Sequence, residues 1–272
     1  MKKFTSFPYL IWLFLFIVFP IGAILYYSFT IDISNPTFTL EHYKRFLSPI
    51  YMEIMYNSLL LALKATFICF LLGYPMAYII CGLKEKHKNT LLILLMLPMW
   101  MNFLLRTYAW ISLLGKNGPI SAILSLFGFN NVRLLYTETA VLIGMVYNYL
   151  PFMILPIFTS LNNMDKSLIE AAYDLGATKI KAFLLVIFPM SIKGVISGIT
   201  MVFMPCVTTF VISKLLGGGK YMLIGNLIEQ QYLTLYDWNF GSAISIAIIL
   251  MIVLIIALVP KNDKSKGGGV LW

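Results

Sequence analysis

The chain has 272 residues, of which 60% are hydrophobic and only 11% charged, with a formal net charge of +9. A soluble domain carries about 25% charged residues, so this composition excludes a single water-soluble core and points to an all-α integral membrane protein. On so apolar a chain the positive excess reads as lysine placed in loops on the inner membrane face, not as a nucleic-acid surface.

A spanning helix needs about 20 mostly apolar residues. Six segments meet this, at 8–29, 56–82, 91–114, 139–159, 190–213 and 241–259. The first follows Lys2 and Lys3. It is longer than a typical signal-peptide core and lacks a small-residue cleavage pattern, so it is expected to be a retained helix. Residues 40–56 are amphipathic, and are expected outside, either as a dock for an extracytoplasmic protein or as a helix on the outer surface.

Orientation follows from lysine and arginine. With the N-terminus inside, the inner segments hold twelve: Lys2, Lys3, Lys84, Lys86, Lys88, Lys166, Lys179, Lys181, Lys193, Lys261, Lys264 and Lys266. The outer segments hold six, namely Lys44, Arg45, Lys116, Arg133, Lys214 and Lys220, while Lys64 and Arg106 lie in or beside spans. The bias favours six crossings of the cell membrane with both termini cytoplasmic.

Several spans carry helix breakers: Gly73-Tyr74-Pro75, Pro98, Pro151, Pro156 and Pro205. Such breaks survive in lipid where neighbouring helices or a water-filled cavity satisfy the freed backbone groups, which suggests packing around a pathway; ordinary proline kinks are the alternative. Gly194 and Gly198 form a Gly-x-x-x-Gly that admits a second helix at close range. The cysteines Cys69, Cys81 and Cys206 lie in apolar runs without metal-ligand spacing. No residue set carries a catalytic or cofactor-binding pattern. Gly217-Gly218-Gly219-Lys220 lacks the glycine and hydroxyl a phosphate loop needs, because Lys214 and Tyr221 stand there, so ATP is expected to be handled by another chain.

Residues 160–189 are too polar to span a bilayer and too patterned for a careless loop. Ser167 and Glu170 fit a capping box. A short helix over 168–175 is then expected to stop at Gly176 in the left-handed region, and Thr178 to cap a second helix that leads to Pro189 and the fifth span. Ala171 and Ala172 keep the first helix thin enough to enter a groove on a partner. A helix lying on the lipid surface is the alternative reading.

Glu170-Ala171-Ala172, Gly176 after three more residues, and Val186-Ile187-Phe188-Pro189 after nine resemble the EAA motif of ABC importer permeases, departing from it only at Val186 and Phe188. The resemblance implies a type I ABC importer permease: one transmembrane permease domain over 1–272, with six transmembrane helices and a cytoplasmic coupling loop at about 160–189. It implies that Glu170, Ala171, Ala172, Asp174, Gly176 and Pro189 couple the spans to an ATPase. It also implies partners: a second permease subunit, an ATP-binding subunit dimer and an extracytoplasmic substrate-binding protein. Leu72-Gly73-Tyr74-Pro75 with Ala77, Pro98-Met99-Trp100-Met101-Asn102, Leu105-Arg106-Thr107-Tyr108-Ala109-Trp110, Leu223-Ile224-Gly225-Asn226 and Asp237-Trp238 are similar to the first permease of spermidine/putrescine importers. That resemblance implies a polyamine substrate. The same machine for another small solute, and a secondary transporter, are the rivals; the second predicts inverted repeats and deep carboxylates, and neither pattern is visible.

The expected substrate path is bordered by Trp100, Asn102, Arg106, Tyr108, Trp110, Asp237 and Trp238. Asn102, Arg106 and Trp110 are four apart and would share one helix face. Aromatic faces and carboxylates suit a flexible cation; an interfacial aromatic belt is the alternative. Arg106 has the wrong sign for such a substrate. It is expected either to pair with Glu138 or Asp237, with Trp110 stacked on it, or to snorkel outward.

Overall fold

The computed structural model describes residues 7–31, 37–129 and 133–258. Lys2, Lys3, Lys261, Lys264, Lys266, the tail 266–270 and both termini lie outside the described residues. Within them the chain is helical, apart from one isolated antiparallel bridge between Thr30 and Phe38.

The first run, Pro8–Ser28, joins α1 (Phe7–Leu13) to α2 (Phe19–Ser28) through a five-residue π-turn, Phe14–Val18. Pro20 explains the turn. Proline offers no N–H and its ring crowds the carbonyl one turn back, and widening that turn by one residue relieves both problems. A short α3 (Glu41–Phe46) precedes α4 (Pro49–Cys81). Residues 40–56 are therefore α3 plus the first turns of α4, and not one amphipathic helix. The expected break at Gly73-Tyr74-Pro75 is also absent: α4 runs unbroken through Pro75 for 33 residues. Gly73 serves close packing instead, since a Cβ there would lie 2.9 Å from Met153 Cγ.

The expected third span is not one helix. α5 (Glu85–Trp100) ends after Pro98, and α6 (Phe103–Leu114) restarts in a new direction, followed by α7 (Pro119–Leu126). The two arms bend by 92°. Met101 is extended, and the Asn102 side-chain Oδ1 accepts from the N–H groups of Leu104 and Leu105 at 2.9 and 3.4 Å. Asn102 thus starts a helix where periodicity alone predicts continuation.

α8 (Glu138–Asn162), α9 (Lys166–Asp174), α10 (Lys179–Ala182), α11 (Phe188–Thr208), α12 (Val211–Leu216), α13 (Ile224–Leu233) and α14 (Trp238–Leu258) complete the chain. Among the described residues, five runs are long and apolar enough to cross a membrane, and six if the bent α5–α6–α7 arm counts as one.

The core is the packing of α4, α8 and α11 on one another. The Gly-x-x-x-Gly of α11 is used here, within the chain. A Cβ on Gly194 would lie 2.5 Å from Ser160 Cβ, and one on Gly198 would lie 2.8 Å from Met153 Sδ, both on α8. α14 packs on α2. Asn239 fixes that contact by donating to Tyr27 O and Thr30 O at 3.0 and 2.9 Å. Two charged groups separate the ends of the bundle. Lys88 reaches Asn162 at one end, whereas Glu138 at the other end of α8 meets Lys64 at 2.6 Å.

Candidate functional site

The segment after α8 is built by local rules. Asp165 is the N-cap of α9: its carboxylate accepts from Ser167 N–H at 3.0 Å. The expected capping box on Ser167 is therefore replaced by Asp165 two residues earlier. That N–H also holds the Asp165 carboxyl below its ordinary range. At the other end Gly176 has φ 82°. Its N–H donates to Tyr173 O at 2.9 Å and that of Ala177 to Ala172 O at 3.0 Å, the paired bonds of a Schellman stop. Open space surrounds the Gly176 Cα, so glycine is needed for its backbone conformation and not for room. Thr178 then caps α10 by accepting from Lys181 N–H at 3.4 Å. A second π-turn, Phe183–Ile187, precedes Pro189, as the first precedes Pro20.

α9 is two-faced. Ile169 and Ala172 turn towards the bundle, whereas Leu168, Ala171 and Leu175 form an exposed stripe, with Leu175 at 89%. Glu170 and Asp174 are exposed beside it. Lys166 at the first position of α9 and Asp174 at the last both oppose the helix dipole, so helix stability does not explain either charge. An exposed apolar stripe of this kind suits contact with a partner protein or with a lipid surface. The loop is tied to the spans through Tyr74, whose ring packs edge-on to Phe183 at 5.8 Å and against Phe188 at 5.6 Å.

The seven residues expected along the path do not come together. Trp100 ends α5, exposed at 74%, and Tyr108 is exposed on α6. Asn102 is spent on its cap and lies outside the helix that carries Arg106 and Trp110. Neither expected partner of Arg106 is free: Glu138 pairs with Lys64 at 2.6 Å and Asp237 with Arg45 at 2.8 Å. Arg106 Nε is buried with no hydrogen-bond partner among the described residues, and its guanidinium stands 5.9 Å from the Phe103 ring. Trp110 packs edge-on against Tyr147 at 5.3 Å, not on Arg106. Asp237 and Trp238 belong to another part of the bundle, where α14 meets α2, α3 and α13 while α6 meets α7, α8 and α12. The reason is the 92° bend, which turns α6 away from the line of α5.

Sequence reasoning missed two groupings. A groove of about 400 Å³ at the Glu138 end is lined by Glu53, Asn57, Lys64, Glu138 and Tyr221. Lys88 is a buried cation, its side chain only 7% exposed, donating to Glu85 at 2.8 Å and to Asn162 at 3.0 Å. The Glu85/Lys88 spacing was visible as an i,i+3 pair, but its link to α8 was not.

The family model of the binding-protein-dependent transport system inner membrane component matches residues 3–260. The chain belongs to this family. It is 40% identical over 259 residues to the spermidine/putrescine transport system permease protein PotB of Salmonella typhimurium, covering 93% of this chain and 90% of that one. The PotB protein of Escherichia coli K12 matches at 40%, over 93% and 94%, and that of Haemophilus influenzae at 39%, over 93% and 91%. In fold, this inner membrane component superposes on the crystal structure of a bacterial ABC transporter that imports the acidic polysaccharide alginate. The TM-score is 0.75 at 15% identity, over 94% of this chain and 92% of that one. Against the same type of transporter in complex with an alginate pentasaccharide-bound periplasmic protein, the TM-score is 0.78 at 16% identity, over 93% and 91%. The architecture is that of a type I ABC importer permease, a multi-pass inner-membrane protein.

Proposed function

We propose that this inner membrane component is one transmembrane subunit of an ATP-driven polyamine importer and forms half of a path for spermidine or putrescine. The observation that carries the reading is 40% identity across 93% of the chain to permeases named for spermidine/putrescine transport. The alginate transporters share the fold alone and say nothing of cargo.

The lysine distribution supports a cytoplasmic α9, with Lys86, Lys88, Lys166, Lys179 and Lys181 on one side of the bilayer and Lys116, Lys214 and Lys220 on the other. The Leu168–Ala171–Leu175 stripe then faces a separate ATPase subunit, and Gly176 sets the angle at which α9 leaves the spans. Closure of an ATPase dimer would pull α9, and through Tyr74 and the Phe183–Phe188 contacts move α4 against α11. A second permease subunit supplies the other half of the path, and an extracytoplasmic binding protein delivers the substrate. The groove holding Glu53 and Glu138 opens on that outer side.

Reconstitution with a partner ATPase, a second permease and a binding protein tests this. Labelled spermidine and putrescine should enter vesicles only with ATP, and unlabelled alginate should not compete. Uptake of an anion in their place would refute the substrate while leaving the importer architecture untouched.

A further inference from the structure

A cavity of about 740 Å³ lies where the inner ends of α4 and α8 meet the start of α5 and the inward face of α9. One wall is apolar: Tyr78 and Ile79 come from the last turns of a spanning helix, and Ile187 from the π-turn entering α11. The rim is cationic, with Lys84, Lys88 and Lys166. Two carboxylates also line it, Glu85 and Glu170. Glu85 is spent on Lys88 at 2.8 Å, and Lys84 and Lys166 have no salt bridge to the described residues.

Lys88 is the telling group. It is a nearly fully buried ammonium with three N–H donors, and two are taken by Glu85 and Asn162. Lys88 also lines the cavity, and its ammonium has the capacity for one further acceptor.

We propose that this cavity binds the phosphate of an anionic phospholipid of the inner leaflet, with the headgroup on Lys84, Lys88 and Lys166 and an acyl chain along Tyr78, Ile79 and Ile187. The assignment rests on the cytoplasmic placement of α9 given above. Three features select this occupant. The lysines outnumber the carboxylates. The wall is apolar at the level where a spanning helix leaves the bilayer. Basic pockets between helices on the cytoplasmic side are where anionic headgroups collect. Such a lipid would bridge the α4–α5 turn to α9, so the negative charge of the inner leaflet would stiffen the joint that carries the ATPase stroke.

The test uses the assembled importer in nanodiscs of phosphatidylglycerol and phosphatidylcholine, with retained lipid read by native mass spectrometry. The wild type should retain phosphatidylglycerol in preference. Lys84→Gln and Lys166→Gln should each weaken that retention about fivefold, and Lys116→Gln, at the other end of the bundle, should not. Equal retention by the double variant Lys84→Gln/Lys166→Gln and the wild type would overturn the proposal. Displacement of the lipid by inorganic phosphate alone would mark a free-phosphate site and overturn the lipid assignment. Protection of a Lys84→Cys variant from maleimide by the ATPase subunits, whatever the lipid, would make the cavity a protein contact and overturn it as well. The same cysteine, labelled in intact cells and in inverted vesicles, separates the two readings: labelling only from outside would remove the orientation itself, whereas inside labelling without lipid preference removes only the lipid site.

Discussion

The Tyr74 hydroxyl and Ser191 Oγ lie 2.8 Å apart, buried between α4 and α11. Ser191 Oγ also reaches Phe188 O at 2.9 Å, so Ser191 donates to that carbonyl and accepts from Tyr74. This bond fastens a spanning helix to the first turn after the α9–α10 segment. Tyr74→Phe removes it without changing ring packing. A buried hydrogen bond contributes about 0.5–1.5 kcal/mol net, and Ser191 keeps its other partner, so the variant should assemble with a small loss of thermal stability. Its uptake per ATP hydrolysed should fall. An unchanged transport-to-hydrolysis ratio in vesicles would show that Tyr74 only packs.

Gly176 allows a graded test. Its φ of 82° suits glycine, is tolerated by asparagine and is strained for other residues. Left-handed geometry costs an L-residue about 1–2 kcal/mol. Gly176→Asn should retain most uptake, Gly176→Ala less, and Gly176→Val almost none, with all three inserted in the membrane. Equal uptake by the three, measured with substrate-stimulated ATP hydrolysis, would separate the turn from coupling.

Asp165 gives a pH dependence. Its pKa in the folded chain is lowered, so the stabilisation it contributes is fully present above the ordinary carboxyl range. It is lost as pH falls through the lowered value. Hydrogen exchange over 166–175, corrected for intrinsic rates, should show protection constant from neutral pH down to about 5 and falling only in stronger acid. Asp165→Asn keeps an N-cap oxygen and should remove that acid-dependent loss.

Legibility in the sequence tracked distance along the chain. Gly176 and Thr178 were readable because a helix stop and a cap need only three or four neighbouring residues. The N-cap two residues before Ser167 was a near miss of the same kind: a hydroxyl and a carboxylate compete for one set of N–H groups, and the carboxylate accepts more strongly. The α5–α6 bend was hidden because apolar periodicity continues across Met101-Asn102, and only Pro98 and the capping ability of Asn102 signalled it. Arg45 and Asp237 could not be paired from sequence, because they stand 192 positions apart. That pair and Lys64–Glu138 take both expected partners of Arg106 and with them the unity of the expected path.

The Asp237 pairing changes what its substitution should do. Arg45 and Asp237 are 44% and 30% exposed, so solvent screens them and the pair contributes at most about 1 kcal/mol. Asp237 Oδ1 also accepts from Phe240 N–H at 3.1 Å, capping α14. Asparagine keeps that cap and alanine does not. Asp237→Asn should therefore transport close to normally and Asp237→Ala should melt at lower temperature. A severe uptake defect in Asp237→Asn with normal stability would instead place this carboxylate on the substrate path.

Orientation is the assignment on which the docking reading depends, and the fold sharpens its test. Lys86 lies on α5 two residues before Lys88, which bonds Asn162 at the end of α8, just before α9. Any label that reaches Lys86 from one side of the membrane therefore reports the side of Glu170 and Gly176. Lys116 lies between α6 and α7, beyond the bend, and α6 packs on α12, the helix that carries Lys214. Lys86→Cys should react with an impermeant maleimide only from the cytoplasmic face, and Lys116→Cys only from outside, each in intact cells against inverted vesicles. Labelling of both cysteines from one face would make α5–α6–α7 re-entrant and leave five crossings, putting the two ends of the chain on opposite sides. Reversed labelling of both would put the Leu168–Ala171–Leu175 stripe outside, where no ATPase reaches it.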